Sequence, residues 1–156
     1  MKKGIVLGNG RSLKDFDFDK IDCEWIGCCL AFRYWDKINK YPDYYVNVDT
    51  VVCQNPEVIE FVKKETCKMY LLSKSISQVS NELPKDKIVF IEDILIDPRS
   101  IFKYTRNWCS GSSSVMLALE LFEDIHIAGF DCDYVEFIPE CDKQPDGTLK
   151  IKKTPK

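Results

Sequence analysis

Six short runs rich in Ile, Val, Tyr, Leu and Cys constrain this chain more than any other feature: Gly4–Leu7, Glu24–Cys29, Tyr44–Val48, Lys68–Leu72, Lys87–Ile91 and Ile125–Ala128. They do not show the strict polar–apolar alternation of a strand with one wet face. Continuous apolar runs are what a parallel sheet needs, because its crossover connections cover both faces. Amphipathic segments fill the gaps. "NPEVIEFVKKE" offers Asn55 as a cap, Pro56 at the first helical position, and Val58, Ile59 and Val62 on one stripe. "SGSSSVMLALELFE" opens with serines whose hydroxyls suit capping. Its Val115, Leu117, Ala118, Leu119, Leu121 and Phe122 make it apolar on most sides, which predicts a largely buried helix. "LKDFDFDKI" and "AFRYWDKINKY" read as short helices with aromatic anchors.

Repeated strand–helix–strand order predicts the α/β class: a Rossmann-like, mostly parallel sheet with flanking helices over residues 1–133. A length of 156 residues suits one such domain with a real core. In residues 134–156 the pattern changes. Pro145-Asp146-Gly147 reads as a turn between two short strands, making a C-terminal hairpin or flap, or the start of a lid. A doubly wound sheet that stops there is short of strands on one side. That suggests a fragment or a partner-dependent domain, with a homo-oligomer as one form of partnership.

Charge and cysteine usage exclude several classes. The net charge is −3 with both signs interspersed, so no clustered basic face argues for nucleic acid. Glycine breaks the N-terminal apolar run too early for a secretion signal, and no window approaches the length of a membrane span, which predicts a cytoplasmic protein. There are eight cysteines, none in C-x-x-C spacing, and one histidine, His126. That pattern suits reduced, mostly structural thiols better than zinc or a disulfide scaffold. His126 alternates with Ile125 and Ile127 and reads as a packed structural residue.

Ligands of open α/β sheets bind outside the carboxyl ends of the strands. Three such ends carry unusual residues. Gly8-Asn9-Gly10-Arg11-Ser12 follows the first strand: the glycines permit a sharp turn and close backbone approach, and Asn9 and Ser12 could reach phosphate or ribose. The third glycine of a dinucleotide fingerprint is absent, since Leu13 stands there, which leaves room for a smaller nucleotide. Asn47 and Asp49 end the third strand and need polar partners, either a ligand hydroxyl or a neighbouring loop. Ser110-Gly111-Ser112 opens the apolar helix and offers a second phosphate or sugar site, with Arg106 as a nearby positive charge. Asp131-Cys132-Asp133 matches D-x-D, a metal-holding pattern in many sugar transferases. With 25 acidic residues in the chain such pairs arise by chance, and a lone Asp131 bonding a ligand or a loop is the simpler reading.

Taken together, these residues resemble the lipooligosaccharide sialyltransferases of glycosyltransferase family forty-two. The matching features are "GNGRSLK" from Gly8 to Lys14, "CLAFRYWDK", Asn47, Arg106 before Ser110-Gly111, the helix "SVMLALELF", and Gly129-Phe130-Asp131. The resemblance covers residues 1–133, and families similar to an archaeal pterin pyrophosphokinase share parts of it. It implies a transferase that takes a CMP-activated sugar as donor without a metal or other cofactor, and a glycan acceptor. A lipid-linked acceptor would bring the protein to a membrane surface. Gly8, Asn9, Gly10, Ser12, Asn47, Ser110, Gly111 and Ser112 would then line the nucleotide, Arg106 would lie near the sugar, and Tyr134 would stabilise the leaving phosphate. Two departures stand out. Leu30 occupies the place of a family asparagine, and no histidine follows His126 to serve as the family's base, which leaves Asp131 or Asp133 as candidates. A nucleotide-binding module without catalysis and a pyrophosphokinase-like phosphotransferase are the alternative readings.

Overall fold

A computed structural model describes residues 1–96, 109–131, 141–143, 145 and 149–151. The six predicted strands all form, as β1 (Lys3–Leu7), β2 (Glu24–Cys28), β3 (Tyr44–Asn47), β4 (Met69–Leu72), β5 (Ile88–Phe90) and β6 (Asp124–Ala128). They build one sheet in the order β5-β4-β3-β2-β1-β6, with every pair parallel. The arrangement is Rossmann-like: strands β1 to β5 step outward in one direction, then the chain crosses back and lays β6 on the other side of β1. Strand order therefore reverses between β1 and β6. Farther on, β7 (Cys141–Lys143) and β8 (Leu149–Ile151) pair antiparallel, as expected of a hairpin. Among the described residues no helix is long and apolar enough to cross a membrane.

Both faces of the sheet are covered, which explains the continuous apolar runs. On one face lie α1 (Phe32–Ile38) and α2 (Pro56–Lys63), and their Phe32, Trp35, Val58, Phe61 and Val62 pack with Leu7, Tyr45, Tyr70 and Leu72. Asn55 caps α2 by accepting the Glu57 N–H at 2.9 Å, and Pro56 takes the first turn. Gly27 of β2 makes room for Trp35, whose Cζ2 lies 2.2 Å from where a Cβ would stand. Trp35 then meets Trp25 edge-on at 5.5 Å between centroids, and Phe32 stacks on Phe61 at 4.9 Å. Such pairs add about 0.5–1.5 kcal/mol each beyond their buried area.

On the opposite face lie α3 (Ile91–Ile96) and α4 (Ser110–Leu121). Leu117, Ala118 and Phe122 bury against Val6, Ile26, Cys28, Val46 and Leu71. α4 is largely buried, as expected, with Leu119 left 57% exposed. Its cap is not a serine: the Cys109 thiol accepts the Ser112 N–H at 3.5 Å, while Ser110, Ser113 and Ser114 turn into the protein. His126 also departs from expectation. Among the described residues β6 is an edge strand, and His126 stands exposed, 3.5 Å from the Asp124 carboxylate.

Candidate functional site

The loops after β1 and β6 close on each other at the point of strand reversal. The Gly8 N–H donates to the Ala128 carbonyl at 2.8 Å and the Gly10 N–H to the Gly129 carbonyl at 2.7 Å, so strand pairing continues past the strand ends. A Cβ on Gly8 would stand 2.3 Å from the Gly129 oxygen, and one on Gly10 would stand 2.5 Å from it. Gly129 itself takes a φ of +75°, the left-handed region that glycine enters without strain. The close approach expected at Gly8 and Gly10 is thus made, in the first instance, to backbone.

Asp131 locks this junction. Its carboxylate accepts the Ser12 N–H at 2.6 Å and also the Ser12 hydroxyl. These two donors, the hydroxyl foremost, hold the carboxyl below its ordinary pKa. An anion so stabilised is a weaker base, so Asp131 acts here as a clamp on the Gly8–Ser12 turn, the loop-bonding alternative of the sequence reading.

Asn47 and Ser110 join the end of β3 to the start of α4. Asn47 is fully buried; its Nδ2 donates to the Tyr45 hydroxyl at 3.3 Å and its Oδ1 accepts the Ser110 hydroxyl at 3.4 Å. Ser110 Oγ in turn accepts the Val48 N–H at 3.0 Å. Of the two alternatives the sequence left for Asn47, the structure shows the internal partner: both side chains are enclosed and paired within the protein, as a polar residue at a buried strand end requires. Asp49 likewise turns to its own loop, accepting the Val51 and Val52 N–H groups at 2.9 and 2.8 Å. What faces outward is Asn9, Ser12, Gly111 and Ser112, with Gly111 half-buried. Arg106, Tyr134 and Asp133 lie outside the described residues.

Phe130 brings the two glycine-bearing loops side by side. Its Cδ2 lies 3.1 Å from where a Gly8 Cβ would stand, and its Cε1 lies 3.0 Å from where a Gly111 Cβ would stand. The first strand's corner and the start of α4 are therefore separated by the width of one phenyl ring. The sequence reading passed over Phe130 as the middle residue of Gly129-Phe130-Asp131. The signal was present in two distant glycines, each needing a bulky neighbour.

The thiols divide into two groups. Cys23, Cys28, Cys29, Cys53, Cys67 and Cys109 are free thiols; Cys28, Cys53 and Cys67 are buried. Burial raises Cys53 and Cys67 to about 11. Cys29 sits at φ 56°, with its carbonyl accepting the Tyr45 hydroxyl at 2.7 Å. The adjacent Cys28 and Cys29 thiols titrate together, with Cys29 below and Cys28 above the ordinary thiol range. Cys109, at the head of α4, is lowered chiefly by the Ser112 hydroxyl. Among the described residues no group of three His, Cys, Asp or Glu converges as for a metal ion.

Fold and site together define a doubly wound α/β domain whose strand ends, glycine corner and helix start meet at the reversal of strand order. No protein-family model matches the chain, and no curated protein is detectably similar to it.

Proposed function

We propose that this domain binds a nucleotide at the junction of the β1 loop, the β6 loop and the start of α4, and that it is the donor site of a sialyltransferase-like glycosyltransferase using a CMP-activated sugar. The observation that carries the reading is the convergence on Phe130 of Gly8 and Gly111, which are 103 positions apart in a chain numbered through Lys156. A helix start presents N–H groups without intrahelical partners, and these suit a phosphate. Asn9 stands exposed beside it to take a phosphate or ribose oxygen, and the Ser12 and Ser112 hydroxyls, whose protons go to Asp131 and to the Cys109 carbonyl, can accept from a ribose hydroxyl. The resemblance to family forty-two supplies the CMP-sugar, the metal-free chemistry and the glycan acceptor. On that reading Arg106 and Tyr134 attend the sugar and the leaving phosphate, and catalysis rests on positioning.

Two observations favour a second reading, a nucleotide-binding module without transfer. Leu30 packs against the core where the family places an asparagine, and Asp131 is engaged by Ser12.

Thermal-shift and calorimetric titration with CMP, CDP, UDP and ATP, each with and without magnesium, tests the proposal. Stabilisation by CMP without magnesium supports it. Stabilisation by ATP with magnesium alone would point to a phosphotransferase instead, and no response to any nucleotide would end the proposal. Release of CMP from a CMP-sugar then separates the enzyme from the module.

A further inference from the structure

We infer that Cys28 and Cys29 form a vicinal dithiol that a peroxide closes to a disulfide, a site independent of the nucleotide reading. In a regular strand successive side chains point to opposite faces, so the thiols of adjacent cysteines point away from each other. Here the strand ends between them. Cys28 is still extended, with φ −142° and ψ 166°, and Cys29 takes a left-handed φ of 56°. That φ swings the Cys29 Cβ across the plane of the trans peptide, onto the side that already carries the Cys28 Cβ. A residue with a Cβ enters this region at a cost and stays there only where its surroundings hold it. Tyr45 supplies the hold, donating its hydroxyl to the Cys29 carbonyl at 2.7 Å.

The two sulfurs then take different parts. Cys28 is 2% exposed and its thiol points at the Leu7 carbonyl at 3.9 Å, whereas Cys29 is half-buried, so an oxidant meets Cys29. The pair titrates together and Cys29 ionises first, brought down to about 7 by the Cys28 beside it, which makes it the better nucleophile at neutral pH. The Cys29 thiolate attacks one peroxide oxygen; the O–O bond breaks, leaving a sulfenic acid and a hydroxide that takes up a proton. The Cys28 sulfur then attacks the Cys29 sulfur. The S–O bond breaks, and the departing hydroxide leaves as water with the Cys28 proton. Two thiols and one hydrogen peroxide thus give one disulfide and two waters.

The test treats the folded Cys109→Ser protein, which lacks the exposed competing thiol, with hydrogen peroxide. The peroxide is removed, the denatured chain is alkylated, and the tryptic peptide of residues 21–33 is mapped by tandem mass spectrometry without reduction. Expected is a peptide lighter by two hydrogen atoms, alkylated at Cys23 and closed between Cys28 and Cys29, with both thiols recovered by dithiothreitol. Cys28→Ser should stop at the Cys29 sulfenic acid, which dimedone traps. A second measurement needs no variant. Phenylarsine oxide condenses with two thiols on one side and releases one water, so it should occupy Cys28 and Cys29 of the native chain together. Its affinity should fall about 100-fold in Cys28→Ser or Cys29→Ser, where one of two linked contacts is lost. Oxidation of Cys29 to a sulfinic acid with Cys28 still open to alkylation refutes the dithiol. So does a bridge from Cys29 to Cys23 or to a second chain, a pair left unoxidised, or an arsenical that leaves both thiols free.

Discussion

Replacing Asn47 by alanine separates an architectural role from a ligand-binding one. The side chain has no exposed surface. Its two hydrogen bonds, 3.3 Å to the Tyr45 hydroxyl and 3.4 Å from the Ser110 hydroxyl, are long, so each contributes toward the lower end of the usual range of about 0.5–1.5 kcal/mol. Truncation does not strand Tyr45, whose hydroxyl still donates to the Cys29 carbonyl at 2.7 Å. It does leave the Ser110 proton without its acceptor in a buried place, and it removes three heavy atoms from a packed interior. Together these amount to about 1–3 kcal/mol. For a domain of this size that is a fall in Tm of about 2–12 °C. Urea and thermal unfolding of Asn47→Ala, Ser110→Ala and the double variant make the measurement. Because Ser110→Ala removes the proton that Asn47→Ala orphans, the double variant should be less destabilised than the sum, by about 0.5–1 kcal/mol. Strict additivity, or an Asn47→Ala protein with unchanged Tm and a collapsed CMP affinity, would refute the reasoning and return Asn47 to direct ligand contact.

Further expectations follow from other contacts. Gly8→Ala places a Cβ 2.3 Å from a backbone oxygen that cannot swing away, so it should cost about 1–3 kcal/mol. Gly111→Ala meets only the end of the Phe130 ring at 3.0 Å and should change Tm little; equal losses in the two unfolding curves would contradict this. Glu24 accepts from Lys2 and Lys68 at 2.9 and 2.5 Å, and those cations hold its carboxyl down at about 2, with the Lys68 hydrogen bond foremost. A depressed folded pKa means that the stabilisation is complete above the ordinary value of 4.5 and is lost as pH falls toward 2. Wild type should therefore lose about 2 kcal/mol more than Glu24→Gln between pH 5 and pH 2, and superimposable pH–stability curves would remove the network from the account. Iodoacetamide at pH 7, followed by peptide mapping, should label exposed Cys109 first and the half-buried Cys29 next, leaving Cys53 and Cys67 for the unfolded protein. Cys53 labelling as fast as Cys109 would overturn that ordering.

The sheet was legible because a parallel strand enclosed on both faces has to be apolar throughout, and a run such as Ile5-Val6-Leu7 ended by glycine leaves few other readings. Strand order was not legible, since no local pattern records which side of β1 receives the last strand. That ignorance explains the error at His126. Alternation with two isoleucines suggests a packed ring, but among the described residues β6 falls at an edge, and its histidine is exposed. The helix Ile91–Ile96 escaped notice for a related reason: its apolar residues follow β5 without a break, and a six-residue segment is too short to show a period.

At the candidate site the loops that the sequence singled out come together, and the coordinates show which of their side chains are already paired within the protein. Ser110 and Asn47 are polar residues at a helix start and a strand end, where a ligand and an internal partner make the same demand on residue type. Only coordinates distinguish them, and they show the two side chains bonded to each other. The same ambiguity acted in reverse at the glycines. Gly8 and Gly111 each read as a place for a ligand to approach, and each in fact receives protein, the Gly129 carbonyl at Gly8 and the Phe130 ring at Gly111. Residue type at a strand end or helix start sets the demand for a partner, and the fold decides whether the protein itself meets it.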